Sequence, residues 1–160
     1  MIRATQVLKA GSWQQSPADR ITLGYDERHR RRLRFVAEHG VEFLLDLPRT
    51  TVLRGGDGLQ LEDGRVILVS AAPEPLLEIR AAEADQLARL AWHIGNRHLP
   101  AQITTGRILI REDPVIEDML KGLGATVRHV EEPFTPEPGA YDASHALLFA
   151  PGRAHGHSHG

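Results

Sequence analysis

The hydrophobic pattern changes its period at Ala71–Pro75, and that change limits what the chain can fold into more than any other feature. Before it, short runs alternate polar and apolar residues. Arg20–Tyr25 is one such run, and Arg31–Pro48 holds two more, split at His39–Gly40. Gly58–Ala71 reads as a hairpin in which Leu59, Leu61, Val66 and Leu68 flank a turn at Asp63–Gly64, where glycine accepts a positive φ. Short strands with frequent Gly and Asp turns predict a small β-sandwich or barrel. Pro73 and Pro75 then predict a break, because proline neither extends a strand ladder nor enters a helix interior.

Beyond the break, strands alternate with helices. Leu76–Ala81 reads as a strand, and Ala81–Leu99 as a helix, with Leu87, Leu90, Ala91 and Ile94 at helical spacing and Pro100 as its stop. Gln102–Glu112 holds two short strands around Thr105–Gly106. Asp113 is the expected N-cap of a second helix, Pro114 its first residue, and Gly122 or Gly124 its end. Thr126–Phe134 is a last strand. The class is therefore α+β: a β-rich N-terminal domain over 1–72, then a ferredoxin-like βαββαβ domain over 76–134. Residues 135–160, rich in Pro, Gly and His, are expected to form a flexible tail.

Composition closes several functions. The chain has 160 residues, no cysteine and nine histidines. Disulfides, thiolate metal sites, iron–sulfur clusters and cysteine nucleophiles are excluded; imidazole suits nickel, copper and zinc. A net charge of -2 argues against nucleic acid or an anionic membrane as partner. No run approaches the ~20 apolar residues that span a bilayer. Ile2 and Arg3 follow Met1 without an apolar run, so no leader is expected and the cytoplasm is the expected compartment. The strands of the second domain carry no aromatic residue in "RILIRE" or "LLEIRA" on which bases would stack. "RGGDG" (Arg54–Gly58) lacks the lysine and hydroxyl of a phosphate loop and reads as a plain turn.

Two histidine features remain. His98 lies four residues after Ile94 and eleven after Leu87, which brings an imidazole to the end of an apolar helix stripe. Spacing alone favours a histidine held by the helix C-terminal dipole; the other reading is a ligand projecting where the helix meets something else. His93 points away from that stripe, and His29, His39 and His129 are isolated and read as structural or surface residues. The chain ends "AHGHSHG", where His155, His157 and His159 alternate with Gly156, Ser158 and Gly160. Such a tract is a compositional metal signal, and it is interleaved where purification tags are unbroken. Arg28, Arg30, Arg32 and Arg34 alternate with His29, Arg31 and Leu33, as on a half-exposed strand; a solvated face is favoured over a docking surface for an acidic partner.

"GNRHLPAQI" (Gly95–Ile103) resembles the signature of the UreE family of urease accessory metallochaperones. "GVEFLLDLP", "GDGLQLEDG", "LLEIRA", "REDPVIEDMLKGLGATV" and the His-rich end resemble that family in the same order. The resemblance implies a peptide-binding N-terminal domain and a dimerising, metal-binding C-terminal domain. It implies a non-enzyme that delivers nickel to apo-urease together with a GTPase accessory protein. The family's metal-binding histidine falls on His98, two copies of which would meet on a two-fold axis, with His155, His157 and His159 joining them. Zinc and copper are further ions that such imidazoles accept in vitro, copper ahead of nickel in the Irving–Williams order. The H-x-H pair that some members carry after the signature helix is absent here, where the chain reads "ILIRED". A competing reading is a client-binding assembly chaperone or interaction module with incidental metal binding. A hydrolytic metalloenzyme ranks last, because no H-E-x-x-H or comparable cluster is present.

Overall fold

The computed structural model describes residues 1–138, which form two compact units, one over Met1–Ser70 and one over Ala71–Glu137. The first unit holds six strands: β1 (Arg3–Leu8), β2 (Asp19–Leu23), β3 (His29–Val36), β4 (Glu42–Val52), β5 (Gly58–Leu61) and β6 (Val66–Ala71). They make one sheet in the order β2-β6-β5-β1-β4-β3. β1 runs parallel to β4 and antiparallel to β5. The sheet curls until its outer strands approach, because the Glu38 N–H beyond β3 donates to the Arg20 carbonyl on β2 at 2.9 Å. Of the two expected arrangements, one curled sheet lies nearer the barrel than two separate stacked sheets. Its inner face buries Phe43, Leu45, Leu53, Leu59, Ile67 and Val69 completely.

Three polar side chains are buried in this unit: Asp19, Arg28 and Asp57. Asp19 is buried, and its carboxylate accepts the N–H groups of Arg20, His39 and Val41 at 2.8, 2.9 and 3.2 Å. Burial pushes its pKa up, yet those backbone donors outweigh it and hold the group at about 2. Arg28 departs from the expected half-exposed pattern. It lies in a 3-10 turn (Asp26–Arg28) ahead of β3, fully buried, and donates to the carbonyls of Leu23 and Leu53. "RGGDG" is the turn expected of it: the Asp57 carboxylate accepts the N–H of Arg54 and of Ala10.

The second unit runs β7 (Pro73–Arg80), α1 (Ala84–Asn96), β8 (Gln102–Thr104), β9 (Arg107–Arg111), α2 (Pro114–Gly122) and β10 (Thr126–Pro133). Its sheet has the order β10-β7-β9-β8, with each neighbouring pair antiparallel. Pro73 and Pro75 do not break the ladder as expected. They belong to β7, paired with β10, but stand before Leu76, where pairing with β9 begins. One side of β7 is open there, and a residue without an N–H fits an open edge. Leu77, Ile79, Ile108 and Ile110 of the sheet pack with Leu90, Ile94, Ile116 and Leu120 of the helices. The expected tail does not begin at 135: Phe134 is buried, the Thr135 N–H donates to Gln102, and the Glu137 N–H donates to the Ala101 carbonyl.

Glu78, on β7, is 3% exposed and gathers three arginines: Arg80 at 3.2 Å, Arg107 at 2.9 Å and Arg128 at 3.1 Å. Arg107 reaches on to Glu132 at 2.8 Å. The bonds from Arg80, with Arg107 and the nearby Arg128 charge, outweigh burial and hold Glu78 at about 2, against 4.5 for a free glutamate. A depressed pKa stabilises the fold above the free value, and the contribution is lost as pH falls from about 4.5 toward 2. Glu78→Gln should therefore cost about 2–4 kcal/mol near neutrality, since it strands three guanidinium groups around a neutral amide. Urea denaturation as a function of pH checks this: the variant's stability should fall less steeply than the wild type's on the acid side.

Candidate metal centre

α1 carries the chain to the site. Glu83 is its N-cap residue, Asp85 complements the dipole in the first turn, and Leu90 and Ile94 are buried in the core. Leu87 and Ala91 pack on the same cluster, as their spacing predicts. The end differs from expectation. Periodicity extends the helix to Leu99, but it stops at Asn96, with Arg97 as C-cap. His98 is therefore not on a helix face. It sits one residue past the cap at φ +58°, the one non-glycine residue with positive φ among the described residues.

Hydrogen bonds explain the turn. The His98 N–H donates to the Gly95 carbonyl at 2.9 Å, and the Leu99 N–H donates to the Ile94 carbonyl at 3.4 Å. This closure normally takes glycine at the left-handed position. α2 shows the usual solution: Asp113 caps its start through the N–H groups of Val115 and Ile116, and Gly124, at φ +93°, ends it. There the Gly124 N–H donates to Lys121 and the Ala125 N–H to Leu120, both at 3.0 Å. The same stop is thus built once with glycine and once with histidine. A side chain in this backbone region costs on the order of 1 kcal/mol, and histidine is among the residues that enter it most often. The turn sends Leu99 inward against the core and leaves His98 exposed. The imidazole thus stands on the surface at a backbone position that glycine occupies at lower cost.

A cleft of about 270 Å³ begins at the next two residues, Leu99 and Pro100, and is lined further by Ile110, Arg111, Glu112 and Asp113. Among the described residues, no three histidine, aspartate or glutamate side chains stand close enough to hold a metal ion. Among the described residues, His98 therefore belongs to no such group. His155, His157 and His159 lie outside the described residues, as does His145.

The other histidines are engaged elsewhere. The His29 ring nitrogen Nδ1 lies 2.9 Å from the Tyr25 carbonyl, and His39 Nδ1 lies 3.1 Å from Asp19. His93 packs edge-on against the Trp92 ring at 5.1 Å. His129 is held from both sides, Nδ1 at 2.6 Å from Glu112 and Nε2 at 3.2 Å from Glu117, which Lys121 also reaches at 2.9 Å. The bond to Glu112, then that to Glu117, raises the His129 pKa above its ordinary 6.5. Both ring nitrogens of His129 are thus turned to carboxylates, and neither faces open solvent as a free ligand would. Nothing local in the sequence signals this clamp, because β10 brings His129 back alongside residues 17 and 12 positions earlier.

Two family models cover almost the whole chain: the N-terminal domain of the UreE urease accessory protein matches residues 2–72, and its C-terminal domain matches residues 74–160. The chain belongs to the UreE family. A urease accessory protein UreE of Chelativorans sp. (strain BNC1) is 54% identical over 99% of both chains. That of Bradyrhizobium sp. (strain ORS 278) is 59% identical over 91% of this chain and 70% of its own. That of Rhodobacter capsulatus is 51% identical over 100% of this chain and 94% of its own. All three are named as accessory proteins to an enzyme, not as enzymes. In this UreE chain no helix among the described residues is long and apolar enough to cross a membrane.

Two expectations follow from the backbone and the clamp. His98→Gly should stabilise the fold by about 0.5–1 kcal/mol, whereas Gly124→Ala should destabilise it by about 1 kcal/mol, both read from urea midpoints. The Gly124→Ala cost includes displacing the Gln86 amide, which a Cβ there would meet at 2.6 Å. Histidine NMR titration should place His129 above 6.5, and Glu112→Gln should lower it.

Proposed function

We propose that this UreE chain is a cytoplasmic nickel carrier that serves urease maturation, handing its ion to apo-urease in concert with a GTPase accessory protein. Family membership supports the urease role. The observation that carries the metal reading is His98: an exposed imidazole on a strained left-handed turn that glycine would occupy at lower cost. A single imidazole holds a first-row ion weakly, and no described group supplies the rest. We therefore read the site as shared. Two copies related by a two-fold axis place two His98 side chains on one ion, and His155, His157 and His159 add further ligands. The second unit, with its antiparallel order β10-β7-β9-β8, is read as the ferredoxin-like dimerisation domain, and the first as the partner-binding domain.

The chemistry suits a carrier. Nickel is cargo here, taken up and given away. Imidazoles drawn from separate chains and a terminal tract can be exchanged one at a time with a receiving protein. A closed four-ligand structural site would not permit that. Neutral imidazole is the ligand, so uptake should weaken on acidification.

Calorimetric titration with nickel, on protein purified without a nickel-affinity step, tests the assignment. Wild type should show one tight site per dimer plus weaker ones. His98→Ala should lose the tight site and keep its fold. Deleting Ala154–Gly160 should reduce the number of ions and weaken the tight site only in part. Tight binding that survives His98→Ala, or that disappears with the tail alone, would overturn the assignment, as would a monomer by light scattering in the presence of nickel. Lowering the pH from about 8 to about 5.5 should reduce affinity in wild type.

A further inference from the structure

β3 is an outer strand: it pairs with β4 and, among the described residues, has no strand on its other side. An open edge presents a row of free N–H and C=O groups that invites another chain. β3 is eight residues long, and five consecutive ones, Arg30–Arg34, are exposed. Arg30, Arg31, Arg32 and Arg34 stand along it, and Arg49 lies on the paired strand β4. The ladder is irregular there. Arg32 pairs with Asp46 and Arg30 with Thr51, so the single residue Arg31 faces a bulge of β4 that contains Arg49.

Local acids neutralise only part of this charge. Arg34 has Glu42 at 3.2 Å. Arg32 has Asp46 at 3.5 Å, but Asp46 lies closer to Arg3, at 3.0 Å. Arg30, Arg31 and Arg49 have no acidic partner among the described residues. The chain as a whole carries -2, so this edge is positive against the trend of the molecule. Leu33 and Val36 add exposed apolar surface between and beside the arginines.

We propose that β3 is a docking edge for an extended acidic segment of a partner protein, which adds to the sheet as a seventh strand. Backbone pairing supplies the affinity, and carboxylates set against Arg30, Arg31 and Arg49 supply the selectivity. A second copy of this chain does not fit, because β3 against β3 opposes arginine to arginine, and like charges directly opposite destabilise a sheet. Nucleic acid fits less well. Phe35, the strand's aromatic residue, is half-buried and stacked on Phe43, so no ring is free for a base. The surface is independent of the metal reading, and its test needs no metal.

The probe is a labelled peptide as long as β3 in which glutamate alternates with valine and threonine, titrated into the full chain and followed by polarisation and amide NMR. Binding should perturb the amides of Arg30–Val36 first. The charge reversal R30E/R31E/R49E should weaken it about tenfold or more, and the charge-conserving R30K/R31K/R49K should retain most of it. The same peptide N-methylated at alternate residues, with its charge intact, should also lose about tenfold or more. No binding, binding indifferent to N-methylation, or tighter binding to a single-stranded oligonucleotide or to phosphatidylserine vesicles would each overturn the proposal.

Discussion

Glu78 places a negative charge where the second sheet has almost no water, and the sheet is organised around satisfying it. The arginines that do so come from its own strand, from β9 and from β10. A one-residue slip of either neighbour would turn Arg107 or Arg128 to the opposite face and leave the carboxylate unpaired. The network thus selects the register of three strands at once. On the other face of the same strands lie Leu77, Ile79, Ile108 and Ile110, the platform on which both helices rest. A register set by charge on one face therefore decides where the apolar face receives α1.

From that platform the position of His98 follows. Leu90 and Ile94 anchor the last turns of α1, and Leu99 must return to the same core a few residues later. The chain can reverse that sharply only through the left-handed region, and His98 is the residue that falls there. The contrast with Gly124 at the end of α2 shows that the fold has a less strained solution to the same turn. Exposure of the imidazole is a direct result of the reversal, since a side chain at the left-handed position projects away from the helix it terminates.

The first unit solves a different problem. Its strands bury one face and expose the other, and its buried polar groups are each bonded to backbone: Asp19 to N–H groups, Arg28 to carbonyls. These contacts staple the ends of strands distant in sequence, so that the sheet curls and holds its shape without disulfides. What charge is left over collects on β3, the longer of the first sheet's two outer strands, which carries no acidic residue of its own.

Much of this was legible in the sequence. Alternation and turn glycines marked the hairpin of β5 and β6, the Asp113–Pro114 pair marked the start of α2, and the helical spacing of Leu87, Leu90, Ala91 and Ile94 marked the core face of α1. These signals are local: they depend on side-chain periodicity and on backbone preferences over a few residues. The family signature marked His98 itself. The stop at Asn96, the burial of Arg28, the survival of Pro73 and Pro75 in a strand, and the clamp on His129 were not legible. Each depends on which distant segment lies alongside: Leu99 called back to the core, carbonyls of Leu23 and Leu53 meeting over a guanidinium, β9 starting only at Leu76, β10 running past Glu112 and Glu117. The sequence by itself determined most of the elements, though not β1, and the identity of the exposed ligand candidate. Only the tertiary structure decided the strained turn that presents it, because a left-handed residue other than glycine is held by packing on both sides of it and not by its own preference.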